Sequence, residues 1–140
     1  VHKFLPDRDL SMHLDQAVKD ERQATTQLVA LLMEVDARRL YIQQGCASLF
    51  SFCVQALHLA EGTAYLQVEA ARAARRFPVI LERIADGSLH LATVSLIAPL
   101  LTEENHLDVL SAAVHKNRHD VQQLVEQLTS RHVLPAHTER

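Results

Sequence analysis

The chain has no tryptophan, three glycines, four prolines and two cysteines among its 140 residues. With no Trp and only four Phe and two Tyr, its core must be built from Leu, Val, Ile and Ala. So few Gly and Pro leave too little turn chemistry for an all-β domain, which favours helices. Two cysteines are too few to staple a secreted disulfide scaffold. Six residues separate Cys46 from Cys53, a spacing that matches no common zinc pattern, so they read as buried free thiols in a reducing compartment. No apolar run approaches the roughly 20 residues that a membrane span requires. The amino end, VHKFLPDRDLSMHLD, is polar and lacks the pattern of a signal peptide. Together these absences predict a cytoplasmic setting. A net charge of −3, from 14 basic and 17 acidic residues, excludes a strongly basic protein that coats nucleic acid. It leaves room for a local basic patch.

What is present is helical periodicity. The length fits one ordinary domain, able to bury roughly two-thirds of the surface its unfolded chain exposes. The pattern predicts an all-α fold of about seven helices, a long first helix followed by a compact bundle. Leu10, Leu14, Ala17, Leu28, Leu31, Val35 and Ile42 recur at spacings that fit one helical face. They predict a helix from about Asp9 to Gln44, a rod of roughly 50 Å at the usual helical rise. Thr25-Thr26 marks a candidate bend, and Gly45 a natural stop. Residues 9–27 have a thin apolar stripe and read as projecting or dimerising, with Leu10, Leu14 and Ala17 as the contacts. A second helix runs from Leu49 to Leu57 behind a Ser48 cap. After a tight turn at His58-Leu59, a third runs from Glu61 to Arg76, its Ala64, Tyr65, Val68, Ala71 and Ala74 allowing close packing. Pro78 suits the first turn of a fourth helix, which Asp86-Gly87 stops. A fifth, Ala92 to Leu100, is apolar almost all round and belongs at the centre. Thr102 caps the sixth. Asn117 caps the seventh, with Asp120 completing a capping-box-like pair and Val121, Leu124, Val125 and Leu128 as its buried stripe. Residues 1–8 read as a tail, 9–130 as the helical domain and 131–140 as a linker.

The segment Ser48 to Arg76, a short helix, a tight turn and a longer helix, has the spacing of a helix-turn-helix. In that motif the second helix lays its amino-terminal half in the major groove, which here nominates Thr63 and Gln67 for base contacts. Glu61 and Glu69 on the same stretch would repel phosphate. Any two consecutive helices with a short link share the spacing, so ordinary helix packing stands beside DNA readout. Arg72, Arg75 and Arg76 form a cationic cluster able to contact phosphates, with Lys116 and Arg118 as a second patch. The same arginines also suit the carboxyl end of a helix dipole. His115 and His119 are spaced like paired metal ligands, but a cap at Asn117 would break that geometry, and zinc needs further ligands. Glu104-Asn105-His106 superficially matches an HNH string, yet lacks the strands and second His of a metal-assisted nuclease. No Ser/His/Asp set, phosphate loop, metal site or catalytic residue is recognisable.

The runs LLMEVDARRLYIQQGCASLFSFCVQAL, LAEGTAYLQVEAARAARRFPVILERIADGSLHL and IAPLLTEENHLDVLSAA lie within the stretch from about Leu28 to Arg131, roughly three-quarters of the chain. In their order they resemble the helical region that precedes the nuclease module in bacterial HNH-endonuclease-like proteins. The resemblance implies a non-catalytic DNA-associating or targeting domain. Its nuclease residues, and the divalent metal they would hold, lie downstream of the resembling region. Two features depart from the pattern. Leu66 and Gln67 stand where relatives tend to carry Arg, and Ala60 stands where they tend to carry a Ser cap. The alternative expectation is a protein–protein or homodimerisation module that uses the first helix, with no DNA contact. Neither expectation involves a membrane, a small-molecule substrate or a cofactor in this chain.

Overall fold

The computed structural model describes the backbone of residues 2–138 and the side chains of residues 2–130. Among these residues the fold is all-α, eight helices with no strand. They are α1 (Asp7–Arg38), α2 (Leu40–Gln43), α3 (Leu49–Gln55), α4 (Glu61–Arg76), α5 (Val79–Ala85), α6 (Leu91–Ile97), α7 (His106–Ala113) and α8 (Arg118–Thr138). A single 3-10 turn, Ala98–Leu100, extends α6. α8 has helical backbone through Thr138, so most of the predicted 131–140 linker is a continuation of the last helix; residues 139–140 lie outside the described residues.

The helix ends follow local chemistry. Ser48 Oγ accepts the Ser51 N–H at 3.0 Å, a cap worth about 1 kcal/mol. Thr102 and Asn105 cap each other: the Asn105 N–H donates to Thr102 Oγ1 at 3.0 Å and the Thr102 N–H donates to Asn105 Oδ1 at 2.7 Å. Asn117 Oδ1 accepts the Asp120 N–H at 2.8 Å and opens α8. α4, preceded by Ala60, has no side-chain cap.

The first helix is one element shorter than its periodicity predicts. Arg39 takes the left-handed conformation, φ 52°, and its N–H turns back to the Asp36 carbonyl. The break separates α1 from α2 and lets Tyr41 pack against the core. The predicted bend at Thr25-Thr26 does not occur. α1 is continuous there, and Thr26 satisfies its hydroxyl by donating to the Arg22 carbonyl at 2.8 Å.

α4 is the centre of the bundle, in contact with α1, α3, α5 and α6. Its buried residues are mostly alanines: Ala64, Ala70, Ala71, Ala73 and Ala74, with Val68. A surface without long side chains lets neighbouring backbones approach closely, and the larger residues come from the neighbours. Val29 and Leu32 arrive from α1, Leu49 and Cys53 from α3, Ile80 and Ile84 from α5, Val94 and Ile97 from α6. Tyr65, expected on the packing face, points outward. α8 closes the bundle over α6 with Val121, and Leu124, Val125 and Leu128 pack partly against the core as predicted.

The turn between α5 and α6 is held at close quarters. The Ser88 hydroxyl, together with its N–H at 2.8 Å, holds the Asp86 carboxyl below the usual carboxylate range. Gly87 has φ +83°, and a Cβ there would come within 2.5 Å of the Arg22 guanidinium carbon. The side chain of Arg22 can swing away, but the backbone angle cannot change without breaking the turn. Gly87→Ala is therefore expected to lower stability by about 1–2 kcal/mol, read as a shifted urea midpoint with an unchanged slope.

Candidate interaction surfaces

Three surfaces carry the residues singled out by sequence. The first is the carboxyl end of α4. Arg75 Nη1 donates to Asp36 Oδ2 at 2.7 Å, and Arg72 Nη2 lies 3.9 Å from the other oxygen of the same carboxylate. The Asp36 side chain is only 9% exposed, while both arginines are about half exposed. Asp36 sits on α1, so this is a clasp between α1 and α4. Arg76 donates to the Leu101 carbonyl at 3.1 Å and lies over the Phe77 ring, 4.8 Å from its centroid. The cluster predicted to contact phosphate is thus already engaged in holding α1, α4 and the turn after α6 together. Its outward edges remain open to solvent, around a shallow cleft lined by Asp36 and the three arginines.

The amino-terminal half of α4 is the part a helix-turn-helix would lay in a groove. α3 packs against α4 and His58, φ 59°, turns the link, so the predicted helix pair does form. Its exposed face carries Glu61, Thr63 and Tyr65 and no cation. Gln67 does not join them. It is 5% exposed and faces the interior, where its Oε1 has no hydrogen-bond partner. The reason was available in the spacing: Gln67 lies three residues after Ala64 and four before Ala71, in the middle of the stripe that packs.

The second surface lies where α6 meets the turn between α7 and α8. A groove of about 750 Å³ has an apolar floor of Leu66, Ala92 and Leu96, and cationic or imidazole residues around it: His90, His115, Lys116 and Arg118. Lys116 and Arg118 are exposed as expected. They line a different cleft from Arg72, Arg75 and Arg76. His115, φ 57°, stands in the turn ahead of α8, so it and His119 do not share a helical face. His106 stacks on Phe77 with ring centroids 4.5 Å apart, which accounts for the HNH-like string in packing terms. Among the described residues no three His, Cys, Asp or Glu are grouped to hold a metal ion. Cys46 and Cys53 are buried and unpaired, and burial pushes the Cys53 thiol up, which disfavours the reactive thiolate.

The third surface is α1 itself. From Asp7 to Glu21 every residue is exposed. Leu10 is 46% exposed and Leu14 63%, and Ala17 continues their stripe. Leu28, Leu32 and Val35, which lie a whole number of helical turns farther along, continue the same stripe and pack against the bundle. α1 therefore has one apolar stripe, covered along its inner half and open along its outer half, with Leu31, 58% exposed, at its edge. No helix among the described residues is long and apolar enough to cross a membrane. Comparison with family models, curated proteins and solved structures gives no match for this chain.

The buried carbonyl oxygen of Gln67 gives a direct check on the α4 assignment. A buried acceptor without a partner costs roughly 1–3 kcal/mol, so Gln67→Met, which conserves volume, should leave stability unchanged or raise it. A loss of several kcal/mol in chemical denaturation would mean that Gln67 is hydrogen-bonded in solution.

Proposed function

We propose that this chain is a non-catalytic helical association module, in which the bundle holds α1 out to pair with another helix. The observation that carries the reading is the open apolar stripe on α1. A helix half that touches nothing else is marginal in water on its own. Leu10, Leu14 and Leu31 are each about half exposed, and covering one of them is worth about 1 kcal/mol. A run of such residues at helical spacing is the anchor pattern by which an amphipathic helix docks. The resemblance to HNH-endonuclease-like proteins supplies a setting: the module would bring together chains that carry a metal-dependent nuclease module. Buried free thiols suit a cytoplasmic location.

A second reading, direct association with DNA, is favoured by Lys116 and Arg118, which are exposed and form no ion pair among the described residues. Arg72, Arg75 and Arg76 would add to it through their outward edges. Anisotropy of labelled duplex at about 50 and 200 mM salt separates the readings, since several phosphate contacts impose a steep loss of affinity with salt.

The association reading predicts that Leu10→Glu combined with Leu14→Glu abolishes assembly in light scattering, while the urea midpoint of the bundle is unchanged because neither side chain reaches the core. Assembly that survives the double variant would place the contact elsewhere.

A further inference from the structure

The groove beside α6 and the outer half of α1 are complementary in their chemistry. Leu66, Ala92 and Leu96 floor the groove, and Lys116 and Arg118 stand on its rim with His90 and His115. None of the residues that line it is acidic. Asp120 borders Lys116 in a separate cleft, and neither Lys116 nor Arg118 forms an ion pair among the described residues. The groove thus offers an apolar floor beside two exposed cations. Resting on the association reading above, we propose that its occupant is the outer half of α1 from a second copy of the chain, packed against α6.

The pattern of α1 selects this occupant. Asp7, Leu10, Leu14, Ala17 and Glu21 follow one another in steps of three and four, so they share one side of the helix. All five are exposed. A carboxylate therefore stands beyond each end of an apolar stripe about 10 Å long. Asp9 and Asp20 lie together along one flank of that stripe, while Arg8 and Lys19 are on the opposite side of the helix. The side that carries the leucines is acidic and the groove is cationic, so apolar cover and charge agree in a single contact.

Two other occupants fit less well. Within one chain α1 is continuous from the bundle outward and its residues 7–21 are all exposed, so a chain leaves its own groove open. A phosphate backbone would satisfy Lys116 and Arg118 but would bring no apolar group to Leu66 and Leu96. The stripe of Leu10, Leu14 and Ala17 does both, with Asp7 and Glu21 supplying the anions. The contact uses only surface that the bundle leaves uncovered, so neither copy has to unpack to form it.

The test exchanges charge across the contact, in the full chain freed of nucleic acid. One variant carries Lys116→Glu and Arg118→Glu, and the other carries Asp7→Lys and Glu21→Lys. All four positions are exposed, and circular dichroism with the urea midpoint checks that each variant keeps its fold. Sedimentation equilibrium of the unmodified chain should show self-association that weakens with salt. Each variant alone should associate at least about tenfold more weakly, because like charges then face each other. An equal mixture of the two should regain association, since each α1 then meets a groove of opposite charge on the other variant. Self-association that Leu10→Glu with Leu14→Glu abolishes, but that the Lys116 and Arg118 reversal leaves intact, overturns the groove as the docking site and keeps the association reading. A mixture that fails to regain association overturns the pairing of these two surfaces in the same way. A monomer at every concentration overturns docking between copies, and the association reading then stands only if α1 binds a different protein.

Discussion

Everything in this molecule depends on the alanine face of α4. Five buried alanines and one valine give α1, α5 and α6 a low surface on which to settle, and each neighbour contributes its own bulk to the gap. The direction of α1 follows from that contact. Val29 and Leu32 seat its inner half on the bundle, and the Asp36 carboxylate, almost wholly covered, is clasped by Arg75 and approached by Arg72. A carboxylate this well covered would be costly without its partners, so the clasp fixes rotation as well as position. Once that rotation is set, Leu28 and Val35 join Leu32 against the core, and the same stripe runs on to Leu10 and Leu14 on the outer half, where every residue is exposed.

The same clasp links the two functional readings. Arginines that hold α1 are not wholly available to phosphate, and the exposed half of α4 offers Glu61, Thr63 and Tyr65 where a DNA-reading helix would need cations. The surface left without an internal role is the outer half of α1. Its Leu10, Leu14 and Ala17 prolong the stripe that Leu28, Leu32 and Val35 bury against the bundle, so one continuous apolar line is covered at one end and bare at the other. The cation-rimmed groove beside α6 shares no lining residue with the clasp or with the outer half of α1.

Much of the fold was legible because it is written in local signals. Scarce Gly and Pro, the caps at Ser48 and Asn117, the Thr102 turn, the stop at Gly87 and the stripe of α8 are each set within a few residues. The exceptions are instructive. Nothing local marks Arg39 for a left-handed break; it follows from Tyr41 reaching the core. The engagement of Arg75 with Asp36 spans 39 positions in sequence, beyond any periodicity argument. Gln67 was misplaced for the opposite reason. Its position between Ala64 and Ala71 identified it as inward-facing, but its polarity suggested a surface role. The exposure of Leu10, Leu14 and Ala17 was readable, because the flanking residues are polar and a single stripe that thin has nothing in its own helix to cover it. Where the stripe passes from bare to covered, between Ala17 and Leu28, became visible only when the bundle showed how much of α1 it reaches.

If the outer half of α1 is one side of an interface between copies, amide hydrogen exchange should depend on protein concentration. Protection of residues 10–18 should then rise with concentration while the buried amides of α4 exchange at a constant rate. Equal, weak protection of residues 10–18 at every concentration would contradict it.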